Sequence, residues 1–265
     1  MTKTECIVAL AAAVWASTVT AAPIMYVHDS GGRLARVDVV TGDVDLIGNM
    51  GVVMTDIAFD PDGDLFGLSF NSFYSINRTT AALSLIGNHS VPGGNALVFG
   101  SDGTLYAAGA TSTSLHTINP ATGASTNLGN MGFASGGDLA FHEGNFYLAS
   151  RTSQLVRVDL GSLSNTAAVG PFGVSSVFGL ATGDDGVLYG VAGTQIFSVN
   201  TATGTATNPV NYGGQGLGAA FGQSFFTESG APPIDNVIPE PSTYALIAGA
   251  LAAALLSRRR LRKSL

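Results

Sequence analysis

The chain has 265 residues and a net charge of −7. Residues 23–230 contain five arginines, no lysine and fifteen acidic side chains, so this segment alone carries a net charge of −10. Such an acidic surface repels nucleic acid and anionic membranes, which excludes proteins that depend on phosphate contacts. The segment has about 200 residues, which is enough for one hydrophobic core or one array of repeats.

The N-terminus has the pattern of a secretory signal peptide. Lys3 precedes an apolar stretch at residues 6–15, and small residues follow at Val19 and Ala21. The stretch is too short to span a bilayer, and small residues at these positions are typical of a signal-peptidase site. We expect the export machinery to carry the chain across the inner membrane and signal peptidase to cut after Ala21. Cys6, the only cysteine, leaves with this segment, so the exported chain has no disulfide or thiolate metal ligand.

A repeat with a period close to forty residues runs through residues 22–230. Its spacings of 40, 42, 41 and 39 residues separate the anchors Phe59, Phe99, Phe141, Thr182 and Phe221. Each unit has an early Asp-Gly or Glu-Gly turn, such as Asp62-Gly63, where glycine supplies the positive φ of a tight hairpin. A second turn has the form Asx-x-x-Thr-Gly, as at residues 119–123 and 200–204. The period matches a four-stranded propeller blade.

The number of strands indicates a closed ring. Residues 25–28, 33–38 and 43–48 supply only three strands, and the degenerate last repeat near residues 218–221 supplies the missing inner one. We therefore predict an all-β fold, a β-propeller of five four-stranded blades closed by its first and last strands. Residues 225–228 compete with 25–28 for the same place. An open β-solenoid or a sandwich is the alternative fold.

The inner strand of the second unit resembles that of NHL-like propellers. The resemblance rests on Ile57-Ala-Phe-Asp-Pro-Asp-Gly followed by Leu65 and Phe66, and it extends over residues 23–230. It implies the architecture and carries no implication of activity.

Two aspartates occupy equivalent positions at the start of the predicted inner strands. These are Asp56 and Asp138, and Asn95 lies beside a third equivalent position. Their side chains are expected to converge on the central channel, where they could bind a cation or sugar hydroxyl groups. The alternative is hydrogen bonding to the start of each strand.

Asp60, Asp62 and Asp64 form a D-x-D-G-D pattern that resembles the start of a calcium loop. Gly63 comes too early for an EF-hand, and no bidentate glutamate follows at the twelfth position. The other units replace these aspartates, which favours a structural turn. We therefore predict no metal and no cofactor, with Ca²⁺ at this turn as a weak alternative.

The sequence has no convincing catalytic set. A glycosidase needs two convergent carboxyl groups about 5–10 Å apart, and Asp56 with Asp138 is the only pair to nominate. The histidines lack the spacing of a zinc site, and no serine lies in G-x-S-x-G. We predict a non-enzymatic binding or structural protein. The alternatives are a polysaccharide-active hydrolase or lyase and, more remotely, an ice-binding surface on alternating threonines, which are Thr201, Thr203, Thr205 and Thr207.

The C-terminal segment combines three elements in a fixed order. Pro239, Glu240 and Pro241 cannot continue a regular helix, so this motif is expected to be extended and accessible. An apolar run at residues 244–256 follows, which is shorter than the roughly 20 residues that span a bilayer. The chain then carries basic residues that hold its end in the cytoplasm, at Arg258, Arg259, Arg260, Arg262 and Lys263.

This order resembles the PEP-CTERM sorting signal. The resemblance implies recognition and processing by an exosortase-type membrane enzyme, with a single transmembrane helix in the signal. It divides the chain into a signal peptide (1–21), the repeat domain (22–230), a linker (231–237) and the sorting signal (238–265). We expect an exported protein, tethered to the inner membrane before processing. It then lies at the cell surface or in the polysaccharide matrix of a Gram-negative bacterium, with extracellular polysaccharide as a partner.

Overall fold

A computed structural model describes residues 22–230 of the chain. The predicted signal peptide, linker and sorting signal lie outside these residues. The described part consists of twenty β-strands and a short 3-10 helix at Leu163–Asn165. None of its helices is long and apolar enough to cross a membrane.

The strands form five antiparallel four-stranded sheets, which we number as blades in chain order. Blade 1 contains β20 (Ala220–Phe225), β1 (Ile24–Asp29), β2 (Arg33–Asp38) and β3 (Val44–Asn49). Blade 2 contains β4 (Asp56–Phe59), β5 (Leu65–Leu68), β6 (Ser72–Ile76) and β7 (Leu83–Asn88). Blade 3 contains β8 (Gly94–Phe99), β9 (Leu105–Gly109), β10 (Ser114–Ile118) and β11 (Ser125–Asn130).

Blade 4 contains β12 (Ser135–His142), β13 (Asn145–Ser150), β14 (Gln154–Val158) and β15 (Ala167–Pro171). Blade 5 contains β16 (Val177–Thr182), β17 (Leu188–Ala192), β18 (Gln195–Val199) and β19 (Ala206–Asn211). In each blade the first strand given lies innermost, and the five innermost strands pack against one another around the central axis. The prediction of five four-stranded blades is confirmed.

The turns follow the sequence pattern. In the first turn of blade 2, Gly63 has a φ of +84°, and the Asp60 carboxylate accepts the N–H groups of Asp62 and Asp64. In the second turn of the same blade, Asn77 accepts the N–H groups of Thr79 and Thr80. These Asx hydrogen bonds replace backbone partners and hold the chain in its reversal.

One turn also separates the alternating threonines. Gly204 has a φ of +81° in the reversal that follows Asn200, and β19 begins only at Ala206. Thr201 and Thr203 therefore lie on the turn, whereas Thr207 lies on the strand. The four hydroxyl groups do not form one flat row.

The ring closes between the two ends of the described chain. β20 pairs with β1 from Phe225 opposite Met25 to Gly222 opposite His28. Residues 226–230 form turns, so the competing strand is not formed there. The inner strand ends at Phe225, which occupies the place of Phe59 in blade 2, so the repeat anchor predicted at Phe221 is displaced by four residues.

The core consists of five hydrophobic clusters, one in each interface between neighbouring blades. Between blades 1 and 2, for example, the rings of Tyr26 and Phe59 meet edge to face at 4.9 Å. Each sheet has two faces to bury and can bury them only against its neighbours. The ring therefore depends on every interface, including the one that the terminal strands complete.

Glycines in the outermost strands allow neighbouring blades to approach closely. Each of these strands has an irregular register with its neighbour. At the irregularity in β7, a Cβ atom on Gly87 would overlap the carbonyl oxygen of Thr122, on the second turn of blade 3. The missing side chain therefore leaves room for a backbone contact between blades.

We predict that Gly87→Ala destabilises the ring by about 1–3 kcal/mol, because the added methyl group collides with backbone that has no freedom to move. Chemical denaturation followed by far-UV circular dichroism measures the change in the free energy of unfolding. Gly161→Ala is the matched control, since its Cβ atom would meet only the Asp159 side chain at 3.3 Å. Equal stability of the two variants would contradict the close-approach role.

Candidate binding site at the mouth of the channel

The two faces of the ring differ in what they carry. The innermost strands start at one face, which we call the mouth face and which also carries the turns between the second and third strands of each blade. The opposite face, which we call the tail face, carries the other two-strand turns. Residues 22–23 and 226–230 lie at the tail face, because β1 starts there and β20 ends there.

Five equivalent residues form a layer midway along the channel: Asp56, Ala96, Asp138, Gly179 and Gly222. The two aspartates are almost completely buried, with exposures of 0% and 1%. Asp56 accepts the N–H of Ile57 and, at 2.7 Å, that of Leu97 in the next blade. Asp138 repeats this arrangement with Leu139 and Leu180. Each carboxylate thus joins two neighbouring inner strands.

Asp56 and Asp138 are neighbours in this layer, close enough for each to affect the pKa of the other. Burial raises the pKa of both carboxyl groups well above the ordinary value, and the charge of Asp56 raises that of Asp138 further. Two like charges this close together and out of water cannot both persist, so the pair retains a proton.

His28 reaches the same layer through a gap in blade 1. A Cβ atom on Gly222 would clash with both Oδ1 of Asp56 and Nε2 of His28, so this glycine leaves space for the imidazole beside the carboxyl group. Burial lowers the pKa of His28 to about 3, which keeps the ring neutral. Neither ring nitrogen has a hydrogen-bond partner among the described residues.

The turn at residues 226–230, which we call the strap, closes the tail-face end of the channel. Phe226 packs on Phe59 at 5.3 Å, and the guanidinium of Arg78 lies 4.6 Å from the Phe226 ring centre. Glu228 then turns inward and accepts the Ser224 hydroxyl at 2.8 Å. Burial raises the pKa of Glu228 to about 8, and its Oε1 has no partner in the described chain.

The burial of Asp56 and Asp138 differs from the arrangement of a glycosidase pair, whose carboxyl groups lie in contact with the substrate. Within residues 22–230, no three His, Cys, Asp or Glu side chains are grouped so as to hold a metal ion. The Asp60 carboxylate instead accepts hydrogen bonds from backbone N–H groups of its own turn.

A second layer lies one residue nearer the mouth face. It consists of the residues that precede the first layer in each blade, which are Thr55, Asn95, Gly137, Phe178 and Phe221. The rings of Phe178 and Phe221 meet edge to face at 5.8 Å. Asn95 therefore lies above the aspartates, and its Oδ1 is buried without a partner in the described chain.

This layer is the wall of a cavity of about 390 Å³ that opens on the mouth face. We call the cavity the cup. Phe70 and Arg151, on turns between second and third strands, form its rim, and Phe70 is 60% exposed. Arg151 donates from Nη1 to the carbonyl of Ala110 at 2.7 Å. The remaining lining residues are Ala110, Thr111, Ser135 and Gly136.

The cup combines apolar rings with a few polar groups, as ligand pockets in proteins commonly do. Of the candidate site residues named from the sequence, only Asn95 lines it. Phe178 and Phe221 share a column of the repeat with Asn95, but this column is visible only when the last repeat is aligned on Phe225. Glu228, Arg151 and Phe70 lie outside the repeat pattern that the sequence makes visible.

The burial of Glu228 predicts a pH dependence of stability. Its pKa is higher in the folded than in the unfolded chain, so the folded state binds the extra proton and stability falls as pH rises from about 4.5 to about 8. Asp56 and Asp138 act in the same direction. We predict that Glu228→Gln flattens the decline between about pH 4.5 and pH 8, by up to about 1.4 kcal/mol per pH unit.

Urea denaturation at several pH values measures this slope. Glu143→Gln is the matched control, because the Glu143 side chain is 77% exposed on the tail face. An unchanged slope in Glu228→Gln would show that the strap carboxyl group is not held protonated in the folded state.

Comparison with known proteins shows solved structures of similar fold and a family model that matches the C-terminal segment. The chain is similar to a symmetrical protein of de novo evolutionary emergence, at 18% identity and a TM-score of 0.53, over 74% of this chain and 96% of that one. It is also similar to a chain of the nidogen/laminin complex, at 10% identity and a TM-score of 0.55, over 76% and 97%. Both likenesses concern the fold alone. No curated protein matches the chain.

Residues 237–260 match the PEP-CTERM protein-sorting motif, so the chain carries the signal of an exported protein that an exosortase sorts to the cell envelope or surface.

Proposed function

We propose that this protein is a non-enzymatic, glycan-binding propeller, sorted through its PEP-CTERM signal to the cell surface or the extracellular polysaccharide matrix of a Gram-negative bacterium. The signal holds it at the inner membrane until an exosortase-type enzyme processes the tail. The ring then remains as the mature protein and binds polysaccharide at its mouth face.

The positions of the chain ends support this order of events. Both ends of the described ring lie on the tail face, whereas the cup opens on the mouth face. The described chain therefore ends on the face opposite the cup. Because the strap is anchored by Phe226 and Glu228, processing near Pro239 leaves the closed ring intact.

The composition of the cup carries the binding proposal. The exposed ring of Phe70 and the paired rings of Phe178 and Phe221 offer apolar surfaces to the C–H faces of a sugar. Asn95 and the exposed Thr111 supply an amide and a hydroxyl group for sugar hydroxyls. Aromatic surface with a few convergent polar groups is the usual make-up of a site that orients a small ligand.

The buried aspartates favour binding over hydrolysis. Asp56 and Asp138 lie below the cup, and both of their carboxyl groups are occupied by backbone N–H groups. Their exposures of 0% and 1% leave no surface on which a glycosidic oxygen could rest. They stabilise the ring instead, by joining inner strands.

Removal of the tail motif tests the sorting step. We predict that replacing Pro239, Glu240 and Pro241 by alanine leaves the full-length protein in the inner membrane, because the processing enzyme no longer recognises an extended motif. Fractionation with immunodetection of the ring measures the distribution. Alanine substitution of Ser242 and Thr243 is the control. A triple variant that still reaches the surface in processed form would contradict the proposal.

Substitution of the cup aromatics tests the binding step. We predict that Phe178→Ala and Phe221→Ala each weaken binding to exopolysaccharide by about tenfold, or about 1.4 kcal/mol, through loss of stacking area. Affinity electrophoresis of the purified protein measures the change. Leu85→Ala removes an apolar side chain that is 63% exposed, on the outer strand β7 away from the cup, and should have no effect. Release of reducing ends that disappears in Asp56→Asn would overturn the non-enzymatic assignment.

A further inference from the structure

The charges of the ring are segregated between its two faces. Ten of the fifteen acidic residues between 23 and 230 lie on turns of the tail face: Asp38, Asp43, Asp60, Asp62, Asp64, Asp102, Glu143, Asp159, Asp184 and Asp185. On the mouth face, the only acidic residue among those described is Asp29, which is buried and paired with Arg33 at 2.7 Å. An anionic polymer is therefore repelled from the tail face and approaches the mouth face most easily.

Arg151 is the cation at the entrance of the cup. It is exposed on the turn between β13 and β14, and it makes no ion pair with any described residue. One nitrogen is held by the Ala110 carbonyl, which fixes the guanidinium at the rim and leaves its other N–H groups free of protein partners among the described residues. No carboxylate lines the cup. A planar guanidinium that is fixed in place pairs well with a planar carboxylate.

The cup is closed at its base. The layer beneath it is buried, with exposures of 0% for Asp56 and Ala96 and 1% for Asp138, so no open channel runs through the ring. A polymer cannot thread the axis, so a sugar that reaches the base of the cup is most readily the end of a chain. The buried aspartate pair retains a proton, so it opposes a negative charge above it less than two ionised groups would.

From this arrangement we infer that the cup binds the end of a glycan chain through a terminal sugar that bears a carboxylate, which pairs with Arg151. The sugar ring stacks on Phe178 or Phe221 while its carboxylate meets the guanidinium at the rim. The inference rests on the proposed function, because it names the class of glycan that the same cup takes. It adds two properties that glycan binding alone does not require, which are acidity and recognition of a chain end.

Titration calorimetry with matched oligosaccharides tests both properties. Three probes of equal length are compared: a neutral oligosaccharide, the same chain ending in a uronic acid, and the same chain with the uronic acid inside. We expect the processed protein to bind the uronate-ended probe about ten- to hundredfold more tightly than the neutral one, as expected for a charge-assisted pair. The preference should shrink at high salt.

Arg151→Gln is expected to remove the preference for the uronate-ended probe over the neutral one. Arg157→Gln is the matched control, since Arg157 is an exposed arginine on β14 away from the cup, and it should keep the preference. Equal binding of neutral and uronate-ended probes, or a preference that survives in Arg151→Gln, would overturn the inference and leave glycan binding intact. Equal binding of internal and terminal uronate would overturn the chain-end assignment. Failure of all three probes to bind would overturn the proposed function itself.

Discussion

The pairing of β20 with β1 is the interaction on which the rest of this structure depends. It supplies the inner strand of blade 1 and brings Phe225 against Met25. Without it, the faces of blades 5 and 2 that now pack on blade 1 would be exposed, together with two of the five hydrophobic clusters. The same pairing places Gly222 in the channel and directs residues 226–230 across the tail face.

Closure also explains why buried acids are tolerated in the channel. The inner strands converge so closely that each aspartate reaches the backbone of the next blade, and Leu97 and Leu180 donate to Asp56 and Asp138. The gain in hydrogen bonds between blades offsets the cost of removing the carboxyl groups from water. Proton retention then reduces the repulsion that Asp56, Asp138 and Glu228 would create if all three were ionised.

The two ends of the channel serve different purposes as a result. The tail-face end is sealed by Glu228 and Phe226, and the chain leaves the ring there toward its sorting motif. The mouth-face end keeps an apolar cup with a cationic rim. The described chain therefore ends on the face that carries most of the acidic turns, opposite the cup.

Much of this architecture could be predicted from the sequence because short local sequence patterns encode it. The Asp-Gly and Asx-x-x-Thr-Gly turns report positive φ and side-chain hydrogen bonds within five residues, and they recur with the period of one blade. The predicted anchor of the last repeat, Phe221, differs from the observed one, Phe225, by four residues. Both are phenylalanines close to glycines, so the local sequence does not tell them apart. Only the register with Met25 distinguishes them, and register is a contact between the two ends of the chain.

The sequence by itself determined the destination of the protein, its all-β repeat and the number of blades, because a sorting motif, a turn and a strand are each encoded by neighbouring residues. It also identified Asp56 and Asp138 as equivalent positions. Only the tertiary structure decided that these carboxyl groups are buried as neighbours, and that Phe178, Phe221 and Arg151 form a cup above them. Phe178, Phe221 and Arg151 come from three different blades, and their proximity follows from ring closure rather than from any local pattern.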